Sequence, residues 1–213
     1  MKNLGFKLEH CRPNCPKSVR KWDELYETLN HKLIDLNLYT VQEEKFSPVL
    51  HHHLPKIAIA GCPNGCSQPD IKDFSISGYE SPRISDNPCL QCGACVKGCL
   101  ENAITLVPEG VIIHKDRCLA CGNCQKVCLS GTIAPGESGW NLRIGGRVGR
   151  HPRFATFAGQ ALTDAEVIAW VTDSLEDYIK QGLPHERLTH FLENRANSIQ
   201  GLRASCPFVN PSP

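Results

Sequence analysis

The stretch 57–78, IAIAGCPNGCSQPDIKDFSISG, runs from an apolar segment straight into two cysteines, Cys62 and Cys66, separated only by Pro63, Asn64 and Gly65. A short Ile/Ala run closed by a Gly-Cys-Pro-Asn-Gly turn reads as a buried strand that delivers a cysteine loop. Gly65 lets the backbone bend sharply there. The following DFSISGY, residues 73–79, reads as a second strand. Working outward, the question is what chemistry those two thiols serve.

The 213 residues hold thirteen cysteines, and an odd count leaves at least one outside any set of four. The opening MKNLGFKLEH is too charged for a secretory signal. Repeated Cys-x2-Cys units without an export signal point to metal or redox chemistry rather than disulfides. A formal net charge of +1 supplies no field for nucleic acid or an anionic membrane, and no apolar run reaches the length of a membrane span. The expectation is a soluble, cytoplasmic protein with neither nucleic acid nor membrane as partner. An apolar content of 41% is enough for a real core.

The flanking segments read as a mixed α/β body. In KSVRKWDELYETLNHKLIDL, residues 17–36, Trp22, Leu25, Leu29, Leu33 and Leu36 fall at three- and four-residue steps, predicting an amphipathic helix. Residues 163–182, TDAEVIAWVTDSLEDYIKQG, predict a second helix. Thr163 and Glu166 form its capping box, Gly182 is its stop, and Val167, Trp170, Val171, Leu175 and Ile179 make its apolar face. NLRIGGRV, from Asn141, predicts a strand entering a glycine turn, and HERLTHFLENRA, from His185, a shorter helix.

Between these parts lies an internal repeat. CLQCGACVKGCLENAI begins at Cys89, and CLACGNCQKVCLSGTI begins 29 residues later at Cys118. TLVPEGVIIHK, residues 105–115, predicts a hairpin between them. Pro/Gly-rich SPRISDNP before the unit and APGESGW after it read as the joints of an insertion. Each half carries Cys-x2-Cys-x2-Cys-x3-Cys, the spacing of a bacterial two-cluster ferredoxin, in which the fourth cysteine of one run ligates the other cluster. On that rule Cys89, Cys92, Cys95 and Cys128 hold one 4Fe-4S cluster, and Cys118, Cys121, Cys124 and Cys99 hold a second. Structural zinc is the alternative for such thiolates, but its sites usually pair two Cys-x2-Cys units across a longer loop. Leu100 and Leu129 stand where that ferredoxin pattern usually has proline.

Four more cysteines lie near the front: Cys11 and Cys15 in HCRPNCPKS, and Cys62 and Cys66. LPKIAIAGCPNGCSQPDIKDFSISG, 54–78, resembles the cluster motif of the siroheme-dependent sulfite and nitrite reductases. NLRIGGRVGRHPRFA, 141–155, followed by a helix and HERL, is similar to that family's closing segment. The resemblance covers Cys11 to about Arg195, and family branches carry a two-cluster ferredoxin insertion at this place. It implies a third cluster on Cys11, Cys15, Cys62 and Cys66, with Cys66 able to bridge to siroheme. The first pair departs from the family, which leaves five residues between those cysteines where this chain leaves three. Free or otherwise metallated thiols are the alternative reading of the front cysteines.

The resemblance also implies a missing N-terminal lobe, since only ten residues precede Cys11. Arg143, Arg147, Arg150 and Arg153 could contact siroheme carboxylates or a substrate anion, because guanidinium binds carboxylate bidentately. They could equally fix local loops or meet a partner. The reading is an α+β chain: a sulfite-reductase-like half-domain over 1–81 and 136–213, with a two-cluster ferredoxin-like insertion over 82–135. Its expected function is electron transfer along three 4Fe-4S clusters to a redox partner, a second subunit or a bound redox centre. The alternative is a minimal siroheme-dependent sulfite or nitrite reductase completed by a homodimer or second subunit. A third class, clusters serving as structure or redox sensor, ranks last, for no DNA-binding element supports it. His51, His52 and His53 read as a solvated loop, and Cys206 as a free thiol.

Overall fold

The computed structural model describes residues 4–199; the Cys206 expectation lies outside them. Two parallel strands open the sheet. β1, Lys7–His10, pairs in register with β2, Lys56–Ala60, so that Lys7 faces Lys56 and His10 faces Ile59. Parallel strands need a crossover between them, supplied here by helices α1, Asp23–Asp35, and α2, Leu38–Lys45. The consequence for the site is direct: the loops that leave β1 and β2 emerge at the same end of the sheet.

The sheet is completed by β3, Phe74–Ile84, by β6, Ile133–Ile144, and by β7, Thr156–Ala161, in the order β1-β2-β3-β6-β7. β3 runs parallel to β2, and β6 and β7 are antiparallel additions. The mixed α/β body matches the sequence expectation. Its two longest strands do not: APGESGW, read as a joint, lies inside β6. β3 and β6 form one ribbon that continues to Ile84 opposite Ile133, with Pro82 opposite Pro135 and a register shift between Glu80 and Pro82. Proline has no N–H to give a ladder, so a bulge is where it costs least. What reads as flexible punctuation is a β-arm.

Between the ends of that arm lie α3, Ala94–Gly98, the hairpin of β4, Ile104–Val107, and β5, Gly110–Ile113, and then α4, Asn123–Val127. The 29-residue repeat is expressed in the backbone. Gln91 and Ala120, Gly93 and Gly122, and Asn102 and Gly131 all take positive φ. Gly93 and Gly122, at φ 68° in both, are the left-handed residues from which the two short helices start.

The main core packs the α1 face of Leu25, Leu29 and Leu33 and the face of α5, Asp164–Gln181, against alternate strand residues Ile57, Ile59, Phe74 and Ile76. Each fully buried leucine contributes about 1.5–3 kcal/mol. The capping box of α5 is present in both directions. Its end differs from expectation: Gly182 has φ −65°, and a Cβ there would stand 2.6 Å from the Tyr178 carbonyl, so the glycine answers a lack of space rather than a left-handed turn. α6, Leu188–Ile199, starts three residues later than predicted, after His185 at φ 61°.

Candidate metal centre

Twelve of the thirteen cysteines fall among the described residues, and none of them is in a disulfide. Cys11 follows β1, and Gly61 and Cys62 follow β2. The Cys11 N–H donates to the Ile59 carbonyl at 3.0 Å, and the Gly61 N–H donates to the Cys11 Sγ at 3.3 Å. Val19 and Arg20 N–H groups both donate to the Gly61 carbonyl, folding the Cys11–Arg20 loop back over the β2 turn. Gly61 has no room for a side chain: a Cβ would come within 2.0 Å of Ser18 Oγ. Burial raises the Cys62 pKa, and the neighbouring Cys11, Cys15 and Cys66 raise it further by their own charge, against the Asn64 N–H that lowers it. Cys11, Cys15 and Cys66 thus all stand near enough to Cys62 for their charge to act on it.

The two repeat halves show matching environments. Cys89 and Cys118 are half-buried, Cys92 and Cys121 exposed, Cys95 and Cys124 buried, and Cys99 and Cys128 half-buried. Their mutual influence crosses the halves. Burial raises Cys95, with Cys128 and Cys89 adding to it. Burial likewise raises Cys118, with Cys121 and Cys99 adding, and pushes Cys124 to about 11, with Cys118 and Cys121 adding. At Cys128 burial acts upward but is outweighed by N–H donors led by Ile133, 3.3 Å from its Sγ, so its pKa falls. Further backbone donors reach sulfur from Gln91 to Cys89 at 3.4 Å and from Ala103 to Cys99 at 3.3 Å.

A cavity of about 330 Å³ is lined by Cys99, Cys118, Cys121 and Cys124 together with Cys62 and Asn64. Among the described residues no three His, Cys, Asp or Glu side chains converge on a point that would suit a single metal ion. Thiols that act on each other's charge around a cavity, with N–H groups aimed at sulfur, are a donor set suited to iron–sulfur ligation. Iron–sulfur chemistry therefore fits the residues present.

The arginines fare differently. Arg147 and Arg153 grip the two carboxylate oxygens of Glu193 on α6 at 2.6 and 2.8 Å and pair with each other through their backbones. Arg143 stands 3.6 Å from Asp70. Arg150 is exposed and has no ion pair among the described residues. Three of the four thus hold loops to the body. Of the histidines, His51 meets Lys7 Nζ at 2.6 Å and His53 stacks on Phe46, beyond the N-terminal ends of β1 and β2, the pole opposite the cysteines. Sequence reasoning did not single out Lys126 or Glu193, since an isolated polar residue carries no periodic signal.

A mixed sheet presents cysteine loops at one end and carries the cysteine repeat on a β-arm, a donor arrangement that fits iron–sulfur ligation. The chain belongs to the nitrite and sulphite reductase 4Fe-4S domain family, whose model matches residues 15–196. It is 44% identical over 95 residues to the coenzyme F420-dependent sulfite reductase of Methanocaldococcus jannaschii, a match over 45% of this chain and 15% of that protein. It is 38% identical over 136 residues to one subunit of the anaerobic sulfite reductase of Salmonella typhimurium, covering 61% of this chain and 36% of that subunit. The chain therefore spans about a third or less of these relatives. The crystal structure of dissimilatory sulfite reductase I shares the fold, with a TM-score of 0.58 at 16% identity, over 97% of this chain and 55% of that one. No helix among the described residues is long and apolar enough to cross a membrane.

Proposed function

We propose that this chain is an electron-transfer module that holds three 4Fe-4S clusters on its twelve described cysteines and passes electrons to a partner subunit or bound redox centre. The observation that carries the reading is the cavity shared by the Cys99/Cys118/Cys121/Cys124 set and the Cys62–Asn64 loop. Bound there, such clusters supply reversible one-electron chemistry. The chain's own contribution is placement. The β3–β6 arm fixes the insert against the sheet, the β1 and β2 ends present the front set, and backbone N–H groups aimed at sulfur stabilise thiolate charge. The Salmonella relative, itself named as a subunit, supports a second subunit as acceptor.

Anaerobic iron and acid-labile sulfide analysis tests it, with about twelve irons per chain expected. A count near eight, two clusters' worth, would remove the front set from the proposal.

A second reading has its own support: Cys66 is exposed, with Asn64 Nδ2 donating to its Sγ at 3.0 Å, so a thiolate there could also ligate a siroheme held by a second subunit or second copy. Acid extraction of protein made with siroheme supply decides it. A released isobacteriochlorin pigment supports a reductase, and colour from iron–sulfur clusters alone removes it.

A further inference from the structure

The insert has two lysines at equivalent places in its repeat, Lys97 on α3 and Lys126 on α4. Among the described residues, Lys126 hydrogen-bonds to the body and Lys97 does not. The Lys126 ammonium donates to the carbonyl of Pro16 at 3.0 Å and of Ser18 at 3.4 Å, on the loop directly after Cys15. Neither lysine has a carboxylate partner among the described residues. Lys126 sits two residues beyond the buried Cys124 and lines the same cavity as Cys62 and Cys118. A cation held by two carbonyls thus lines a cavity that cysteines of both sets also line.

The rest of this seam combines backbone pairing with close packing. The Glu80 N–H donates to the Ala120 carbonyl at 2.8 Å, Glu80 bridges Cys121 in parallel fashion, and Gly122 lies so close to the body that a Cβ would stand 2.8 Å from Val19 Cγ1. Gln125 Nε2 reaches the Glu80 carbonyl at 3.4 Å, and its Oε1 is buried with no partner among the described residues. The Glu80 contacts join α4 and the turn before it to β3, while Gly122 packs on Val19 of the Cys11–Arg20 loop. Among the described residues, Lys126 is the one side chain that hydrogen-bonds from α4 to that loop, which carries half of the front set.

We propose that Lys126 is a positioning residue that clamps the Cys15–Arg20 loop onto the insert and so fixes the separation between the second and front cysteine sets. The clamp stands on the hydrogen bonds. Its redox consequence rests on the three-cluster reading above, since electron transfer weakens steeply with distance and a shared cation favours the reduced, more negative state on either side.

The full, cluster-loaded chain tests this with Lys126→Met, Lys126→Arg and the repeat-matched control Lys97→Met. Hydrogen exchange at the Val19 and Arg20 amides is expected to rise about fivefold in Lys126→Met, to stay at the wild-type rate in Lys97→Met, and to return toward it in Lys126→Arg. The magnetic broadening between reduced clusters should weaken in Lys126→Met alone. Unchanged exchange at Val19 and Arg20 in Lys126→Met, or an equal rise in Lys97→Met, overturns the clamp. Iron analysis of the wild type separates the two ideas, because a chain short of the front cluster still reports the clamp through exchange.

Discussion

The Gly61 N–H points at the Cys11 Sγ from 3.3 Å, joining the loop after β1 to the loop after β2. One bond thus ties residues fifty positions apart, and the space around Gly61 is closed by Ser18 Oγ and the Arg20 carbonyl. On the three-cluster proposal, Gly61→Ala is expected to push the Cys11–Arg20 loop away and release the front cluster, because a Cβ at 2.0 Å from an oxygen forces movement. Iron should fall by about one third, as it should in Cys62→Ser, with the insert's low-potential signals retained. A full iron complement in Gly61→Ala would count against shared ligation by the two loops.

The proposed crossed ligation allows a sharper test. Cys95 feels Cys128, and Cys118 feels Cys99. Replacing Cys99 with Ser should therefore expose Cys118, Cys121 and Cys124 to alkylation in the loaded protein. Cys89, Cys92, Cys95 and Cys128 should remain protected. Mass-spectrometric mapping of the modified cysteines reads the result directly. Labelling of Cys89, Cys92 and Cys95 instead would mean that each half binds its own cluster.

Glu193 holds Arg147 and Arg153 together, and its side chain is only 17% exposed. Glu193→Gln leaves two half-buried guanidinium groups facing a neutral amide. A loss of about 1–3 kcal/mol is expected, below the cost of breaking a fully buried pair because both arginines keep contact with water. The urea midpoint checks it. The same variant frees both cations, so any weak binding of oxyanions at this loop should strengthen.

The start of α5 has a pH signature. Glu166 accepts from the Thr163 and Leu162 N–H groups, and these bonds hold its carboxyl below the ordinary 4.5. A carboxylate depressed by folding adds stability that is present above its unfolded pKa and is lost as pH falls through the folded value. Thr163→Ala removes the other half of the box and should cost about 1 kcal/mol at neutral pH. Glu166→Gln should flatten the acid limb of the stability curve. Thermal melts from pH 3 to 7, about the span of the transition, follow both.

Removing the iron should separate the two cores. The insert's own core is small, with Ile104 and Ile133 packed around Cys95 and Cys124, whereas the main core draws on both long helices and four strands. Chelation under anaerobic reduction is expected to raise exchange throughout β4 and β5 while β2 keeps its protection. Exchange that stays slow in the β4–β5 hairpin would show that the insert folds without its metal.

Much of this was legible in the residues. The periodicity of Leu25, Leu29 and Leu33, the Thr163–Glu166 box and the PKIAIAG strand each encode local geometry, and each stands as read. β1, α2 and β7 were not read. KLEH is a four-residue strand with no burial alternation, and its identity as a strand comes from β2 alongside it. APGESGW, read as a joint, was not read as strand for a related reason: its proline and glycines disfavour a strand locally, yet pairing with β3 across a bulge keeps it extended.

By itself the sequence determined the local chemistry: which cysteines recur at cluster spacing, which turns need glycine, and which helix faces are apolar. Those properties depend on neighbours a few positions away. The tertiary structure decided what meets what. Parallel pairing of β1 with β2 brings Cys11 to Cys62, the β3–β6 arm turns the insert toward that loop, and Glu193 claims two arginines that composition alone left available. Such encounters rest on contacts between residues far apart in the chain, whose partners are set by the packing of the whole core and by no local pattern.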